Sequence, residues 1–388
     1  MHAYRFLTLF ILICGSAFSY AESRIIPIDG RTALVYKNAP NANNEVILSL
    51  ESGIEAGEIR FPERYRHIKS RSGSQWEALE DAINSGELTS IAWLGDSLSR
   101  DFHVDTAVNM ISKMKQPPMN RGDRSPELNL ILSPLNDDVV SLSDRISEYG
   151  PFVIHNYASV SADVVDFDGI VPALVDAYAV NDMDNQVSKL LMRKNFPDIV
   201  GIWLGHNNVD WALHKQANSY GTQNKAEIFD HIRADFIAAY EKQLNRLIEK
   251  ADGSSIVVYG LVNFPSFFRA RNQCEGFKLA SQNQESAFPF FYAGEATFPS
   301  LQDGYTEAMS EVSYLMSRDL EILVNKLNAE NPNVNLHFSN AMEVGPIEEC
   351  RILHPMDAWH LSDYGKTVLS GYLFEGLEPI LNHSGQQH

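Results

Sequence analysis

The sequence predicts an α/β fold in which a central parallel sheet of about five strands is covered by helices on both faces. Apolar, strand-like runs recur at residues 91–94, 152–157, 199–204, 256–261 and 334–338. Helix-length amphipathic segments lie between them, clearest at 185–195, 226–249 and 305–328. Alternation of this kind is the pattern of parallel strands joined by crossover helices. No internal repeat or low-complexity tract points to another architecture.

Taken in order, the chain opens on Arg5 and an apolar run at 6–14, with Ser19-Tyr20-Ala21 at cleavage spacing. This reads as a secretory signal peptide, residues 1–21, cut after Ala21 and too short for a stable membrane anchor. Cys14 does not read as a lipoprotein cysteine, because Ile13 stands where a small residue is expected. Residues 22–88 read as an N-terminal extension packed on the main domain. Short β-like runs at 32–36 and 46–50 are separated by Asn, Gly and Pro, and 76–83 reads as a short helix. The main domain spans 89–388. A last helix at 362–381 places Val368, Leu369, Tyr372, Leu373, Leu377 and Ile380 at helical spacing.

Two long irregular insertions interrupt the alternation. One, about 115–148, is rich in Pro, Asn, Asp and Ser; the other, about 262–299, is rich in aromatic residues, among them Phe267, Phe268, Phe290 and Phe291. Long insertions on a compact α/β scaffold often serve as lids or binding loops. A local mini-core beneath the loop would use the same aromatic side chains.

Charge narrows the partners. The formal net charge is −19, and removal of Arg5 with the leader takes it to −20. So acidic a surface disfavours nucleic acid and anionic membrane as electrostatic partners; transient contact with a membrane surface through an apolar patch stays open. No segment beyond the N-terminus has the roughly 18 continuous apolar residues that a membrane span needs. Cys274 and Cys350 remain after the leader, and in an exported chain an even count predicts a disulfide.

Chemistry-bearing residues gather where the strand-like runs end. The first run stops at Gly95-Asp96-Ser97-Leu98-Ser99. The second leads into His155-Asn156-Tyr157-Ala158-Ser159-Val160-Ser161, and the third into Gly205-His206-Asn207-Asn208. Asp357-Ala358-Trp359-His360 stands just before the last helix. The carboxyl ends of parallel strands all face one side, so residues remote in sequence can converge there. Acyl transfer needs an oxygen nucleophile, a base, a group orienting the base, and donors for an oxyanion. Ser97 supplies the hydroxyl, His360 the base, and Asp357 its orienting carboxylate. The Asn207 amide and the backbone N–H groups of Ser97 and Ser161 are the oxyanion donors.

Together, these four blocks resemble the SGNH hydrolases, the GDSL lipases and esterases. The resemblance runs from about residue 91 to 381 and is strongest at the GDSLS and DAWHLS stretches. It implies a flavodoxin-like three-layer α/β/α sandwich, a serine ester hydrolase and no cofactor or metal. Two positions depart from the family pattern. Ser161 stands where the second block usually has glycine, and Asn208 where the third usually has aspartate. Ser99 also occupies the place of the second glycine of a Gly-x-Ser-x-Gly elbow, which argues against the α/β-hydrolase nucleophile turn.

The expected substrate is a small-molecule or lipid ester. Phe267, Phe268, Phe290, Phe291 and His206 are candidate contacts, and the aromatic insertion favours an acyl chain. The same triad serves a carbohydrate O-acetylesterase as the rival substrate class. A different class, a ligand-binding protein with impaired chemistry, is motivated by the departures at Ser161 and Asn208. A metal-site reading of His103, Asp105, His206 and Asp210 fits no known ligand spacing. Asp163, Asp166, Asp168, Asp182 and Asp184 read as a solvated acidic face. Asp96 reads as an anchor of its own turn.

Overall fold

A computed structural model of the chain describes residues 23–27, 32–37, 46–49, 58–61, 89–99, 131, 139–146, 149, 152–158, 162, 164–165, 182–215, 224–274, 304–354 and 359–384. The leader and the helix expected at 76–83 lie outside these residues.

The main sheet contains β1 (Ser23–Pro27), β2 (Thr32–Lys37), β5 (Thr89–Gly95), β6 (Phe152–Asn156), β7 (Ile199–Trp203), β8 (Ser255–Tyr259) and β9 (Asn335–Ser339). Its order is β1-β2-β6-β5-β7-β8-β9. The five strands β6, β5, β7, β8 and β9 pair in parallel. The pair β1–β2 is antiparallel and β2 joins β6 antiparallel. The N-terminal extension therefore does more than pack on the domain: two of its strands widen the sheet. A further antiparallel pair, β3 (Val46–Ser49) and β4 (Glu58–Phe61), stands apart from it.

Helices cover both faces. Among the described residues, one layer holds α2 (Met183–Leu191), α4 (Lys225–Ile248) and α6 (Tyr305–Glu330), with α3 (His206–Lys215) and α5 (Phe264–Gln273) packed on it. The other holds α1 (Leu142–Ile146), α7 (Ala341–Val344) and α8 (Asp363–Ser384). The result is a three-layer α/β/α sandwich. Both faces of the strands are covered, which is why β7 is buried along its whole length and β5 beyond its first residue. The apolar face of α4 shows the helical period directly: Ile228, Phe229, Ile232, Phe236, Tyr240, Leu244 and Leu247 are buried. Asn224 starts that helix by accepting from Ala226 N at 3.0 Å.

Both expected insertions contain regular structure. Within 115–148, α1 begins where Ser141 N donates to Asp144 Oδ2 at 2.7 Å and Asp144 N donates back to Ser141 Oγ at 3.4 Å, a reciprocal cap. The stretch read as irregular from residue 262 opens instead with α5. Asn263 caps it by accepting from Ser266 N at 3.0 Å, and Pro265 sits in its first turn, where its missing N–H is no loss.

Strand order places the site. Numbered among themselves, the parallel strands run 2-1-3-4-5, and the order reverses between β5 and β7. Among the described residues, α1, between β5 and β6, lies on one face of the sheet and α3 and α4, after β7, on the other, the arrangement of a switch point, where ligands bind outside the carboxyl ends of strands.

Candidate active site

Ser97 stands in the turn that ends β5. Ser99 N donates to Asp96 O at 3.1 Å and closes that turn. Asp96 Oδ1 accepts from Leu98 N at 2.9 Å, as expected of an anchoring carboxylate. Trp93 Nε1 donates to Ser99 Oγ at 3.1 Å, and Asn156 Nδ2 to Ser99 O at 3.2 Å. Gly95 has no room for a side chain, since a Cβ there would lie 2.5 Å from the Cβ of Ser99. Ser99 thus occupies the place of the elbow's second glycine because its hydroxyl and carbonyl both serve the turn.

Gln186, on α2, grips the strand end from both sides. Its Nε2 donates to Gly95 O at 2.8 Å and its Oε1 accepts from Gly95 N at 3.0 Å. A fully buried glutamine so bonded extends the sheet's hydrogen bonding where β5 runs out.

His360 reaches the same place from the far end of the chain. Its Nε2 lies 3.2 Å from Ser97 Oγ, across 263 residues. Both are mostly buried, at 9% and 8% exposure. The loop carrying His360 is pinned at its base: Leu353 and Leu361 form an antiparallel bridge, and His354 N donates to His360 O at 2.7 Å. Ser362 N donates to Ile352 O at 2.9 Å, and Ser362 Oγ accepts from Gly365 N at 3.0 Å as α8 begins. Asp357, the expected orienting carboxylate, lies outside the described residues, as do Ser161, Phe290 and Phe291.

Asn207 is in the first turn of α3, directly after β7. The turn before it requires Gly205, whose φ is +127° and whose added Cβ would meet Phe236 Cε2 at 2.7 Å. Asn207 Nδ2 donates to Ala162 O at 2.9 Å. An amide nitrogen carries two protons, so one N–H is engaged there and the group keeps a second. Asn208 is 1% exposed and clamps the same loop: its Oδ1 accepts from Val164 N at 2.8 Å and its Nδ2 donates to Val165 O at 3.4 Å. An aspartate could make the first bond but, ionised, not the second.

The substrate contacts expected of His206, Phe267 and Phe268 meet different surroundings. His206, expected to face substrate, is 1% exposed; its Nδ1 lies 2.8 Å from Asp96 Oδ2 and its Nε2 3.4 Å from Val262 N. Both ring nitrogens face protein partners, so its described contacts are internal. Phe267 and Phe268 are also buried, at 4% and 5%, and form an aromatic cluster with Phe264 and Trp359. The cluster backs onto His360 through Trp359, whose ring is 5.2 Å from that of Phe267. Cys274 and Cys350 form the expected disulfide, with 5.1 Å between their Cα atoms. It ties the end of α5 to the segment that leads into the His360 loop. Among the described residues, no group of three or more His, Cys, Asp and Glu side chains could hold a metal ion.

Fold and side chains together describe an α/β/α sandwich with a serine–histidine pair and a neighbouring amide at the carboxyl ends of its parallel strands. No protein-family model matches the sequence, and no curated protein does. Among solved structures, the chain is similar to an extracellular lipase from Streptomyces rimosus at 14% identity and a TM-score of 0.39, covering 74% of this chain and 99% of that one. It is also similar to a carbohydrate esterase, described as having divergent catalytic and non-catalytic binding functions, at 14% identity and a TM-score of 0.36, covering 75% and 65%. A protein provisionally assigned as an SGNH hydrolase from Slackia heliotrinireducens aligns at 12% identity and a TM-score of 0.31, over 75% and 99%. At such values the chemistry has to be read from this chain's own side chains.

Proposed function

We propose that this chain is an exported serine ester hydrolase. One observation carries the reading: His360 Nε2 lies 3.2 Å from Ser97 Oγ at the switch point of the sheet. His360 takes the Ser97 proton as Oγ attacks the ester carbonyl. The tetrahedral oxyanion is held by the Asn207 amide and the N–H groups of Ser97 and Ser161, and Asp357 orients the imidazole. The proton on His360 passes to the departing alcohol. Water, deprotonated by the same imidazole, then attacks the acyl-enzyme and releases a carboxylic acid and free Ser97.

The substrate is a lipidic ester in this reading. Support comes from the aromatic residues of the 262–299 insertion that follow in sequence, among them Phe290 and Phe291, since Phe264, Phe267, Phe268 and Trp359 pack on one another. Export is supported by the disulfide, a bond of oxidising compartments, and by the apolar run behind Arg5.

The test is turnover of p-nitrophenyl esters by wild type and Ser97→Ala. The variant should lose turnover and labelling by a fluorophosphonate while keeping its circular dichroism spectrum. Undiminished turnover would end the hydrolase reading. Residual catalysis of about 10³–10⁴ over water survives loss of a triad member in other enzymes, so the assay needs that range. A series of acyl chain lengths tests the substrate class, and a peak at two carbons would remove the lipidic part of the reading.

A further inference from the structure

Asp96 and His206 form a buried pair that no step of the proposed hydrolysis uses. His206 Nδ1 lies 2.8 Å from Asp96 Oδ2, with side-chain exposures of 2% and 1%. The other Asp96 oxygen is taken by Leu98 N. His206 Nε2 faces the N–H of Val262 at 3.4 Å. A backbone N–H can only donate, so Nε2 is the acceptor and the ring proton sits on Nδ1, directed at Asp96. The ring is held between Trp203, 4.6 Å away edge-on, and Phe264, 6.4 Å away.

The partners come from three different strand ends. Asp96 follows β5, His206 follows β7 and Val262 follows β8. Asp96 directly precedes Ser97, and His206 directly precedes Asn207. One hydrogen bond therefore couples the turn bearing the hydroxyl to the helix start bearing the amide, across the switch point itself.

We propose that His206 is a positioning residue for the nucleophile: through Asp96 it fixes the Ser97 turn relative to Asn207, so that one carbonyl meets both hydroxyl and amide. The proposal rests on the reading of Ser97 as nucleophile. It gives His206 no contact with substrate. Its leverage is geometric, since displacement of a reacting group by about 1 Å can cost about 10²-fold in rate.

Two substitutions separate this role from bulk packing. His206→Asn places an amide N–H near the position of Nδ1, within reach of Asp96. His206→Gln carries its amide out to the Nε2 end, toward Val262. With p-nitrophenyl esters, His206→Asn should keep kcat within about fivefold of wild type, whereas His206→Gln should lose about a hundredfold with KM within about threefold. Fluorophosphonate labelling of Ser97 should slow in parallel. Combining Asp96→Asn with His206→Gln should lose no more than the worse single variant, because both break one link. Equal kcat in the Asn and Gln variants, or losses that add across the two positions, overturns the proposal. Should His206→Gln not fold, Asp96→Asn decides. The proposal expects from it a fall in kcat at unchanged KM, and wild-type kcat overturns it. Turnover persisting in Ser97→Ala is a different failure, of the hydrolase reading, and is told apart by that variant alone.

Discussion

Replacing Asn208 by aspartate, the residue usual in the family this chain resembles, should destabilise the protein. Asn208 is 1% exposed and uses both ends of its amide, accepting from Val164 N at 2.8 Å and donating to Val165 O at 3.4 Å. Asn208→Asp keeps the acceptor but turns the second group into an oxygen facing a carbonyl oxygen. At neutral pH the change removes one net hydrogen bond and leaves a buried acceptor unpaired, about 1–3 kcal/mol in all. For domains of 150–250 residues 1 kcal/mol moves Tm by about 2–4 °C, and by the lower end of that range or less in a longer domain, so a fall of about 2–6 °C is expected here.

The penalty should depend on pH with a definite sign. Burial and the opposing carbonyl raise the new carboxyl's pKa in the folded state above its unfolded value of about 3.9. A raised folded pKa contributes stability that is present below the unfolded pKa and lost as pH rises through the folded one. Protonated, the carboxyl donates to Val165 O as the amide did. Thermal melts followed by near-ultraviolet circular dichroism from pH 7 down to about pH 3.5, below the unfolded pKa, should show the variant converging on wild type. A variant at least as stable as wild type at pH 7 would refute the reasoning, and so would a deficit that does not change with pH.

Gly205→Ala combines a positive φ with a Cβ 2.7 Å from Phe236, so it should destabilise by about 2 kcal/mol or more and lower soluble yield, read by denaturant unfolding. Replacing Cys274 and Cys350 together by alanine should cost up to about 4.5 kcal/mol in the chain-entropy account; kcat should fall as well, because the bridge tethers the segment before the His360 loop. Glu343 is held above the usual carboxylate range by burial, with Arg318 opposing the shift and Glu321 adding to it. Its contribution is therefore present at acid pH and lost as pH rises, so Glu343→Gln should match wild type near pH 4 and exceed it in Tm at pH 8.

Legibility in the sequence followed locality. The five parallel strands could be read because burial on two faces makes each a continuous apolar run, and their observed ends fall within two residues of those runs. The amphipathic helices were legible for the same reason. By contrast, α3 begins inside a polar block, His206-Asn207-Asn208, and shows no apolar period at its start. The cap of α5 was visible in Asn263-Phe264-Pro265-Ser266 but was hidden by the aromatic residues around it. That β2 pairs with β6 is a long-range event without a local signature. At the site, Ser97 and His360 announce themselves through short motifs. Gln186 and His206 act through partners 91 and 110 residues away. The available signal for Gln186 was a polar residue on the inward stripe of Met183, Val187 and Leu190.

The ligand-binding alternative drew its force from two departures, and the bonding at one of them points the other way. Asn208 is not a lost carboxylate, because its amide makes a donor bond that a carboxylate cannot. With Asn207 it holds Ala162, Val164 and Val165 against the start of α3. The turn at Ser97 is held as tightly, by Gln186, Asn156, Trp93 and the Asp96–His206 pair. Burying so many polar groups at strand ends adds little to stability, since each must first recover in the fold the hydrogen bonds it gave up in water. An apolar turn would serve a binding surface with less. What this network achieves is a hydroxyl, an imidazole and an amide-bearing helix held in fixed relation, the constraint that the proposed acyl transfer would require.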